Sequence, residues 1–193
     1  MIKLDDYDIF RANRKSLKEL SKDDSDNRNV QYMTESTITA VDFDKVKRSY
    51  VNSLGISEDN AASVDGISYT TEAIAFIEFK NGSVNNRNVK DKVRDSLLIF
   101  CDITKKDIEY TRQNAEFVLV YNEAKNPLPN QYTKGVVQSA PSRTYISKRF
   151  AQMGKQEFIL FDLERYKNLY FRDVHTYSKE EFEDYQIKLE NLA

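Results

Sequence analysis

The chain has 193 residues, a length that allows one well-packed core and falls slightly short of two ordinary domains. Hydrophobic residues make up 40% of it and charged residues 31%, and 29 basic side chains nearly balance 31 acidic ones. This near-neutral charge weighs against non-specific coating of nucleic acid, which depends on neutralising phosphates, but it leaves room for a local basic groove.

Several other classes of protein are also disfavoured. No apolar run approaches the roughly 18 residues that cross a bilayer, and the N-terminus M-I-K-L-D-D-Y-D lacks the basic-then-apolar pattern of a signal peptide. We therefore expect no membrane contact and a cytoplasmic location. A single cysteine, Cys101, excludes an internal disulfide framework, and with a single histidine, His175, zinc sites of the usual type are effectively excluded. Neither glycine-rich phosphate-binding pattern occurs, so carboxylate and lysine chemistry with a hard cation is what remains.

The first third of the chain predicts an extension and one helix. Residues 1–33 are interpreted as a partly flexible N-terminal extension, because residues 23–29 contain no apolar side chain. A helix is expected after Asp42, which can cap it, and before Gly55, which can close it. Apolar residues recur at helical spacing between these two positions.

The rest of the chain alternates strands and helices. A hairpin is expected over residues 64–80, with its turn at Thr70-Thr71 and strong turn chemistry after it at Asn81-Gly82. The elements expected after the hairpin are a helix over 88–103, a central strand over 116–121, a proline-containing loop at 126–131, a basic helix over 142–155, a strand over 157–162 and a helix opened by a capping box at 178–181. This order predicts a single α/β domain over residues 1–193, with a mixed central sheet flanked by helices.

Charged residues at the end of the hairpin are the sequence's main functional signal. The second strand reads A-I-A-F-I-E-F-K, which places Glu78 and Lys80 in otherwise apolar material. With the turn at Thr70-Thr71, Asp65 lies opposite Phe76, so Asp65, Glu78 and Lys80 share one face and the two acids are diagonal neighbours, with Cα atoms roughly 7–8 Å apart. Such a pair can hold one magnesium ion, whereas a register slip of one residue would turn Asp65 to the other face. The alternative is that this strand end is solvated and its charges only mark it.

The run V-D-G-I-S followed on the next strand by E-F-K resembles the PD-(D/E)xK nuclease superfamily, whose hallmark is an aspartate on one strand and acid-x-lysine on the next. I-E-F-K-N-G and D-S-L-L-I-F are similar to segments of small bacterial proteins of this type. The resemblance covers residues 34 to about 121 and implies a restriction-endonuclease-like core. It makes Asp65, Glu78 and Lys80 the expected catalytic residues. It also implies a helix-borne acid, for which Glu35 is the first choice, with Asp42 and Asp44 behind it.

The resemblance further implies a mechanism and a partner. Asp65 and Glu78, with Glu35, are expected to hold Mg²⁺ or Mn²⁺, and Lys80 is expected to orient or deprotonate water, or to stabilise charge on the phosphate. The following helix supplies the expected nucleic-acid-binding residues Lys90, Lys92 and Arg94. The expected function is metal-dependent hydrolysis of DNA or RNA phosphodiester bonds, and a homodimer is allowed for. The alternatives are a catalytically inactive nuclease-like fold that serves as a binding module, and an enzyme acting on a small phosphodiester.

Three further features of the sequence favour structural readings. The basic, aromatic-interleaved stretch at residues 143–155 can follow a phosphate backbone, but a solvated helix face is favoured. His175 is expected to be structural or exposed. Cys101 is expected to be a buried structural thiol.

Overall fold

The structure is a computed structural model that describes residues 1–24, 28–127 and 159–190. Its nine strands within these ranges are β1 (Arg14–Ser16), β2 (Lys22–Asp23), β3 (Gln31–Tyr32), β4 (Thr39–Asp42), β5 (Gly66–Thr70), β6 (Ile74–Lys80), β7 (Ala115–Tyr121), β8 (Asp173–Tyr177) and β9 (Leu189–Glu190). Its helices are α1 (Asp8–Arg11), α2 (Leu17–Leu20), α3 (Phe43–Ser53), α4 (Asn86–Thr104), α5 (Ile108–Asn114) and α6 (Lys179–Gln186).

The main sheet is mixed and has the spatial order β1-β4-β5-β6-β7-β8. Neighbours from β1 to β6 are antiparallel, whereas β6, β7 and β8 run parallel. The parallel step from β6 to β7 passes through α4 and α5, as parallel strands require a crossover connection. β9 pairs with the last two residues of β5, and β2 and β3 form a separate two-stranded ribbon. These observations confirm the predicted single α/β domain with a mixed sheet flanked by helices.

Apolar residues on the two faces of the sheet form two cores. Phe76 of β6 and Phe117 of β7 pack with Phe100 of α4 on one face. Ala75 and Ile77 of β6 pack with Phe182 of α6 on the other. Because side chains alternate along a strand, Glu78 and Lys80 share the Phe76 face, which is the face that α4 covers.

Both long helices form where the sequence predicts them. Asp42 caps α3 by accepting a hydrogen bond from the Lys45 amide at 3.2 Å, and Gly55 follows the helix with a left-handed φ of 70°. The predicted capping box at Ser178 is also confirmed, since its hydroxyl accepts from the Glu181 amide and the Glu181 carboxylate accepts from the Ser178 amide.

The hairpin turn lies one residue later than predicted. Gly66 pairs with Ile77 and Tyr69 with Ile74, so the two turn residues are Thr71 and Glu72, and the predicted turn at Thr70-Thr71 is wrong. The shift changes every cross-strand pair by two positions in the second strand. Since side chains alternate with a period of two, the facing of each residue is unchanged. Extending the observed register by one pair puts Asp65 directly opposite Glu78.

The segment predicted as a strand over 157–162 does not form one within its described part. Residues 159–162 are irregular, and Phe161 and Asp162 have φ values of 62° and 56°, which a strand does not allow. The strand beside β7 is instead β8, which contains His175 and pairs with β7 from Glu116 to Val120.

The N-terminal residues are integrated into the domain. β1 pairs with β4 in the main sheet, and Leu4, Phe10 and Leu17 are almost completely buried. In its described part, the extension expected over residues 1–33 therefore contributes a strand to the main sheet and side chains to the core.

Two expectations fall elsewhere in the chain. The basic helix predicted over 142–155 and the loop residues from 128 onward lie outside the described residues. Among the described helices, none has the length and apolar composition needed to cross a membrane.

Candidate functional site

Four charged side chains meet at the end of β6, and we call them the acid–lysine cluster: Asp65, Glu78, Lys80 and Lys92. Asp65 immediately precedes β5, Glu78 and Lys80 belong to β6, and Lys92 comes from the first half of α4. The structure thus brings together all three residues that the PD-(D/E)xK resemblance implies, and adds a fourth.

Glu78 is the most enclosed member of the acid–lysine cluster. Its side chain is completely buried, because it alternates with Phe76 on the face that α4 covers. The ammonium nitrogens of Lys80 and Lys92 each lie 2.8 Å from Glu78 Oε1, and Lys92 also donates to Oε2 at 3.0 Å. A buried carboxylate persists at acceptable free energy only when it is paired in this way or bound to a metal.

Asp65 is held in place by backbone groups on two sides. Its Oδ2 accepts a hydrogen bond from the Phe79 amide at 2.6 Å, and its own carbonyl accepts from the Phe43 amide at the start of α3. Helix α4 fixes the residue before it, since Ser96 Oγ accepts from the Val64 amide at 2.8 Å. The carboxylate is therefore oriented by the hairpin and by both long helices.

The electrostatics of the two acids are coupled. Burial, followed by the negative charge of Glu78, raises the pKa of Asp65 to about 7, although the Lys92 ammonium and the Phe79 amide act in the opposite direction. Close to neutral pH, Asp65 is consequently divided between its protonated and ionised forms. Such a perturbed carboxyl beside a lysine is typical of functional sites, although structural ion-pair networks show it too.

Lys92 lies between the two acids. Its nitrogen is 3.2 Å from Asp65 Oδ1 as well as 2.8 Å from Glu78 Oε1, and its side chain is only 18% exposed. Burial lowers the pKa of Lys92, but the charges of Asp65 and Glu78 outweigh burial and hold it above its usual range. Lys92 is therefore a permanent cation that bridges the two carboxylates.

Of the three candidate helix-borne acids, Asp44 acts on Asp65, whereas Glu35 and Asp42 pair with lysines outside the acid–lysine cluster. Asp44, in the first turn of α3, accepts a hydrogen bond from the Ser63 hydroxyl, and its charge contributes to raising the pKa of Asp65. Glu35 is 75% exposed and pairs with Lys18 at 2.6 Å, so the structure does not bring it to Asp65. Asp42 caps α3 and pairs with Lys15 at 3.0 Å. Asp44 is therefore the helix-borne acid that the structure favours in place of Glu35.

Lys90 and Arg94, the other two residues expected to bind nucleic acid, pair with acids outside the acid–lysine cluster. Lys90 pairs with Asp162 at 2.6 Å, and Arg94 pairs with Asp91. Lys90 and Arg94 are four residues apart and share a helical face, whereas Lys92 faces elsewhere. Only Lys92 of the three contacts the acid–lysine cluster.

The donor set at the cluster fits a divalent cation of a specific kind. Within the described residues, no group of three or more carboxylate, histidine or cysteine side chains is arranged to hold a metal ion. Magnesium, however, is usually bound by one or two carboxylates together with water and substrate phosphates. Asp65 and Glu78 match that smaller set in number, although the ammonium nitrogens of Lys80 and Lys92 already lie 2.8 Å from Glu78 Oε1.

His175 and Cys101 are partly buried and lie outside the acid–lysine cluster. The His175 ring stacks on Tyr177 with centroids 5.3 Å apart, and its Nε2 is 3.9 Å from Glu116. Cys101 is half-buried in α4, and burial raises the pKa of its thiol to about 11, which leaves it protonated near neutral pH. Neither residue contributes to the acid–lysine cluster.

The contact that sequence reasoning missed is the one between Lys92 and the two acids. Lys92 is expected to contact nucleic acid, which stays a prediction, and the structure also pairs its ammonium with Asp65 and Glu78. The helical spacing of Val89, Val93 and Leu97 gives a partial signal, because it sets the buried face of α4 and Lys92 precedes Val93 at the border of that face.

The functional assignment of this protein rests on the geometry of the acid–lysine cluster, because the comparisons with known proteins found no match. No family model matches the chain, and neither a curated protein nor a solved structure matches it significantly.

Proposed function

We propose that this protein is a divalent-metal-dependent nuclease that hydrolyses phosphodiester bonds of DNA or RNA at the acid–lysine cluster. The observation that carries the proposal is the convergence of Asp65 and Glu78, directly opposed on the hairpin, with Lys80 and Lys92 within 3.2 Å of one or both. The proposal is also supported by the order of the elements along the chain, since the hairpin is followed by α4 and then by strand β7, as the sequence predicts.

Each residue of the acid–lysine cluster has its own role in the proposed hydrolysis. Mg²⁺ or Mn²⁺ held by Asp65 and Glu78 would supply Lewis acidity and lower the pKa of a bound water. Lys80, whose side chain is 22% exposed, is placed to orient the attacking water. The attacking water gives up a proton to solvent as its oxygen bonds to phosphorus, the phosphorus–oxygen bond to the leaving group breaks, and solvent protonates the departing oxygen. Lys92 is placed to stabilise the negative charge that grows on the phosphate.

A second candidate is a catalytically inactive nuclease-like fold that serves as a binding module. The observation that favours it is the position of the Lys92 ammonium between Asp65 and Glu78, where a metal would have to bind. Two carboxylates and two ammoniums already balance in charge, so the cluster is electrostatically complete without a metal. The two candidates differ in whether a divalent cation binds there.

The test is a cleavage assay with single- and double-stranded DNA and RNA, in Mg²⁺, Mn²⁺ or EDTA. We expect cleavage by the wild-type protein in Mg²⁺ or Mn²⁺ only, and a loss of about 100-fold or more in Glu78→Gln and Lys80→Met. Glu72→Gln is the matched control, since Glu72 lies in the turn of the same hairpin with a side chain that is 76% exposed. Cleavage that persists in Glu78→Gln would contradict the site, and no cleavage together with no Mg²⁺-dependent thermal stabilisation would favour the binding module.

A further inference from the structure

A cavity of about 330 Å³ opens beside the acid–lysine cluster. Two residues of the cluster, Asp65 and Lys80, line it, so its occupant would be continuous with the candidate catalytic groups. The other lining residues come from α2 and the segments after it and from the end of β6; they are Leu20, Ser21, Lys22, Asp23, Met33, Phe79, Asn81 and Gly82.

Both residues of β2 line the cavity, and the ribbon that β2 forms with β3 is tied to the end of β6 by one amide. Asn81 Nδ2 donates to Asp23 at 2.7 Å and to Gln31 at 2.9 Å, one bond to each strand of the ribbon. Asn81 Oδ1 accepts from Asn122 at 2.9 Å, beyond the end of β7. These three hydrogen bonds hold the side chain of the buried Asn81 in one position. The fold itself therefore fixes this side of the cavity.

The size and lining of the cavity point to a nucleotide-sized occupant. Small-molecule pockets span roughly 300–1,000 Å³, and this cavity lies at the low end, which suits one nucleotide and excludes a base pair. Its lining combines apolar groups from Leu20, Met33 and Phe79 with polar ones from Ser21 and Lys22. A nucleobase has the complementary chemistry, with apolar faces and polar edges.

We propose that the cavity takes one unpaired nucleotide next to the phosphodiester, so that the substrate is a single-stranded polynucleotide. This inference rests on the proposed nuclease function for the chemical step, and on the cavity alone for the strand preference. A base in a duplex has to leave its stack before it can enter such a cavity, at a free-energy cost of a few kcal/mol, whereas an unpaired base avoids that cost.

Gly82, at the edge of the cavity, allows a side chain to be added there without a clash. A Cβ atom built on Gly82 meets no atom within 4 Å, and its backbone is not in the left-handed region, so Gly82→Leu projects into open space. Ser83→Leu is the matched control, because Ser83 is the next residue, is exposed and does not line the cavity. Equal unfolding midpoints for both variants and the wild type would show that the fold is kept.

The experiment measures cleavage and binding separately. For cleavage, we expect single strands to be cut about tenfold or more faster than the matched duplex. We expect Gly82→Leu to lower the single-strand kcat/KM about tenfold or more, and Ser83→Leu to leave it unchanged. Arms with single-stranded DNA and single-stranded RNA identify the sugar.

Binding is followed by the fluorescence anisotropy of a labelled single strand in EDTA, where no cleavage is expected. We expect the Kd to rise about tenfold in Gly82→Leu and to stay unchanged in Ser83→Leu. Equal affinity of the wild type for single strand and duplex, or an unchanged Kd in Gly82→Leu, would overturn the inference. If no diester is hydrolysed but this binding pattern holds, the proposed nuclease function fails and the nucleotide cavity stands.

Discussion

Lys92 shows how one side chain decides the character of the candidate site. The sequence offers Lys90, Lys92 and Arg94 at alternate positions of α4, and the apolar spacing beside Lys92 is only a partial signal of which one faces inward. Which of them points inward depends on how α4 packs against β6, which is a tertiary property. Asp65, Glu78 and Lys80 could be predicted from sequence, since an acid and a lysine within an apolar strand are conspicuous by themselves.

Asp65 is expected to make stability depend on pH in the neutral range. Its pKa is raised to about 7 in the folded protein, whereas an unfolded aspartate titrates near about 3.9. A raised folded pKa stabilises the protein fully below the unfolded value, and this contribution is lost as pH rises through about 7. The free energy of unfolding should therefore fall between about pH 4 and pH 7, by at most about 1.4 kcal/mol per pH unit.

The measurement is urea unfolding across this pH range in EDTA, comparing the wild type with Asp65→Asn. Asparagine keeps an acceptor oxygen for the Phe79 amide and removes the titrating group. The difference in unfolding free energy between the two proteins should change with pH in the stated direction. A constant difference over the range would show that Asp65 does not titrate there.

At the scale of elements, the hairpin was predicted with the correct facing and an incorrect turn. Thr71 and Glu72 carry no glycine, proline or asparagine signal, so the turn position could not be read from residue type. The turn is stabilised by Thr70, whose hydroxyl accepts from the Glu72 and Ala73 amides at 3.2 and 2.9 Å. The face of the sheet on which each side chain lies was predicted correctly, because both turn positions place it on the same face.

Gly66 couples the hairpin to the N-terminal segment, and Gly66→Ala should weaken that coupling. A Cβ atom at Gly66 would lie 2.7 Å from Leu20 Cδ1 and 3.2 Å from the Val41 carbonyl oxygen. Leu20 can turn away but the strand carbonyl has less freedom, so we expect a loss of about 1–2 kcal/mol in the free energy of unfolding. Urea unfolding of Gly66→Ala checks this.

Gly82→Ala is the control for this prediction, because no atom lies within 4 Å of its added Cβ and it should be close to neutral. Equal destabilisation by the two substitutions would mean that the close approach to Leu20 and Val41 does not set the effect.

At the scale of the whole molecule, the sequence predicted the fold class from the regular elements and did not predict the short elements within residues 1–33. α3, α4 and β7 have clear periodicity, and their places in the chain imply one sheet flanked by helices. β1, α1 and α2 are three or four residues long, too short for a periodic pattern, so their packing depends on a core that is built from later residues. β8 was missed because D-V-H-T-Y contains a single aliphatic residue, Val174, whereas residues 157–162 form a stronger apolar run.

Phe10 tests whether the N-terminal residues belong to the cooperative core. It is 1% exposed, stacks with Phe100 of α4 at 6.0 Å between centroids, and contacts Phe43 of α3 at 6.3 Å. We expect Phe10→Ala to lower the free energy of unfolding by about 3–5 kcal/mol, since it leaves a large cavity between the helices.

Chemical denaturation followed by circular dichroism measures this effect. Met1→Ala is the control, because Met1 is 56% exposed and its truncation should change the midpoint little. A loss in Phe10→Ala below about 1 kcal/mol would mean that the N-terminal segment opens independently of the core.

Tyr69 is the residue where the two ends of the described chain meet. Its hydroxyl donates to the Ile2 carbonyl at 3.0 Å and accepts from the Leu4 amide, while its backbone pairs with Glu190 in β9. Residues 2 and 190 are thus separated by little more than one tyrosine side chain. A short peptide joining them would close the chain into a ring without crossing the molecule, so the linear order of the elements is not what holds the sheet together. The gene could be circularly permuted, with new ends opened at an exposed connection far from β5, and β5 would keep every neighbour it has now.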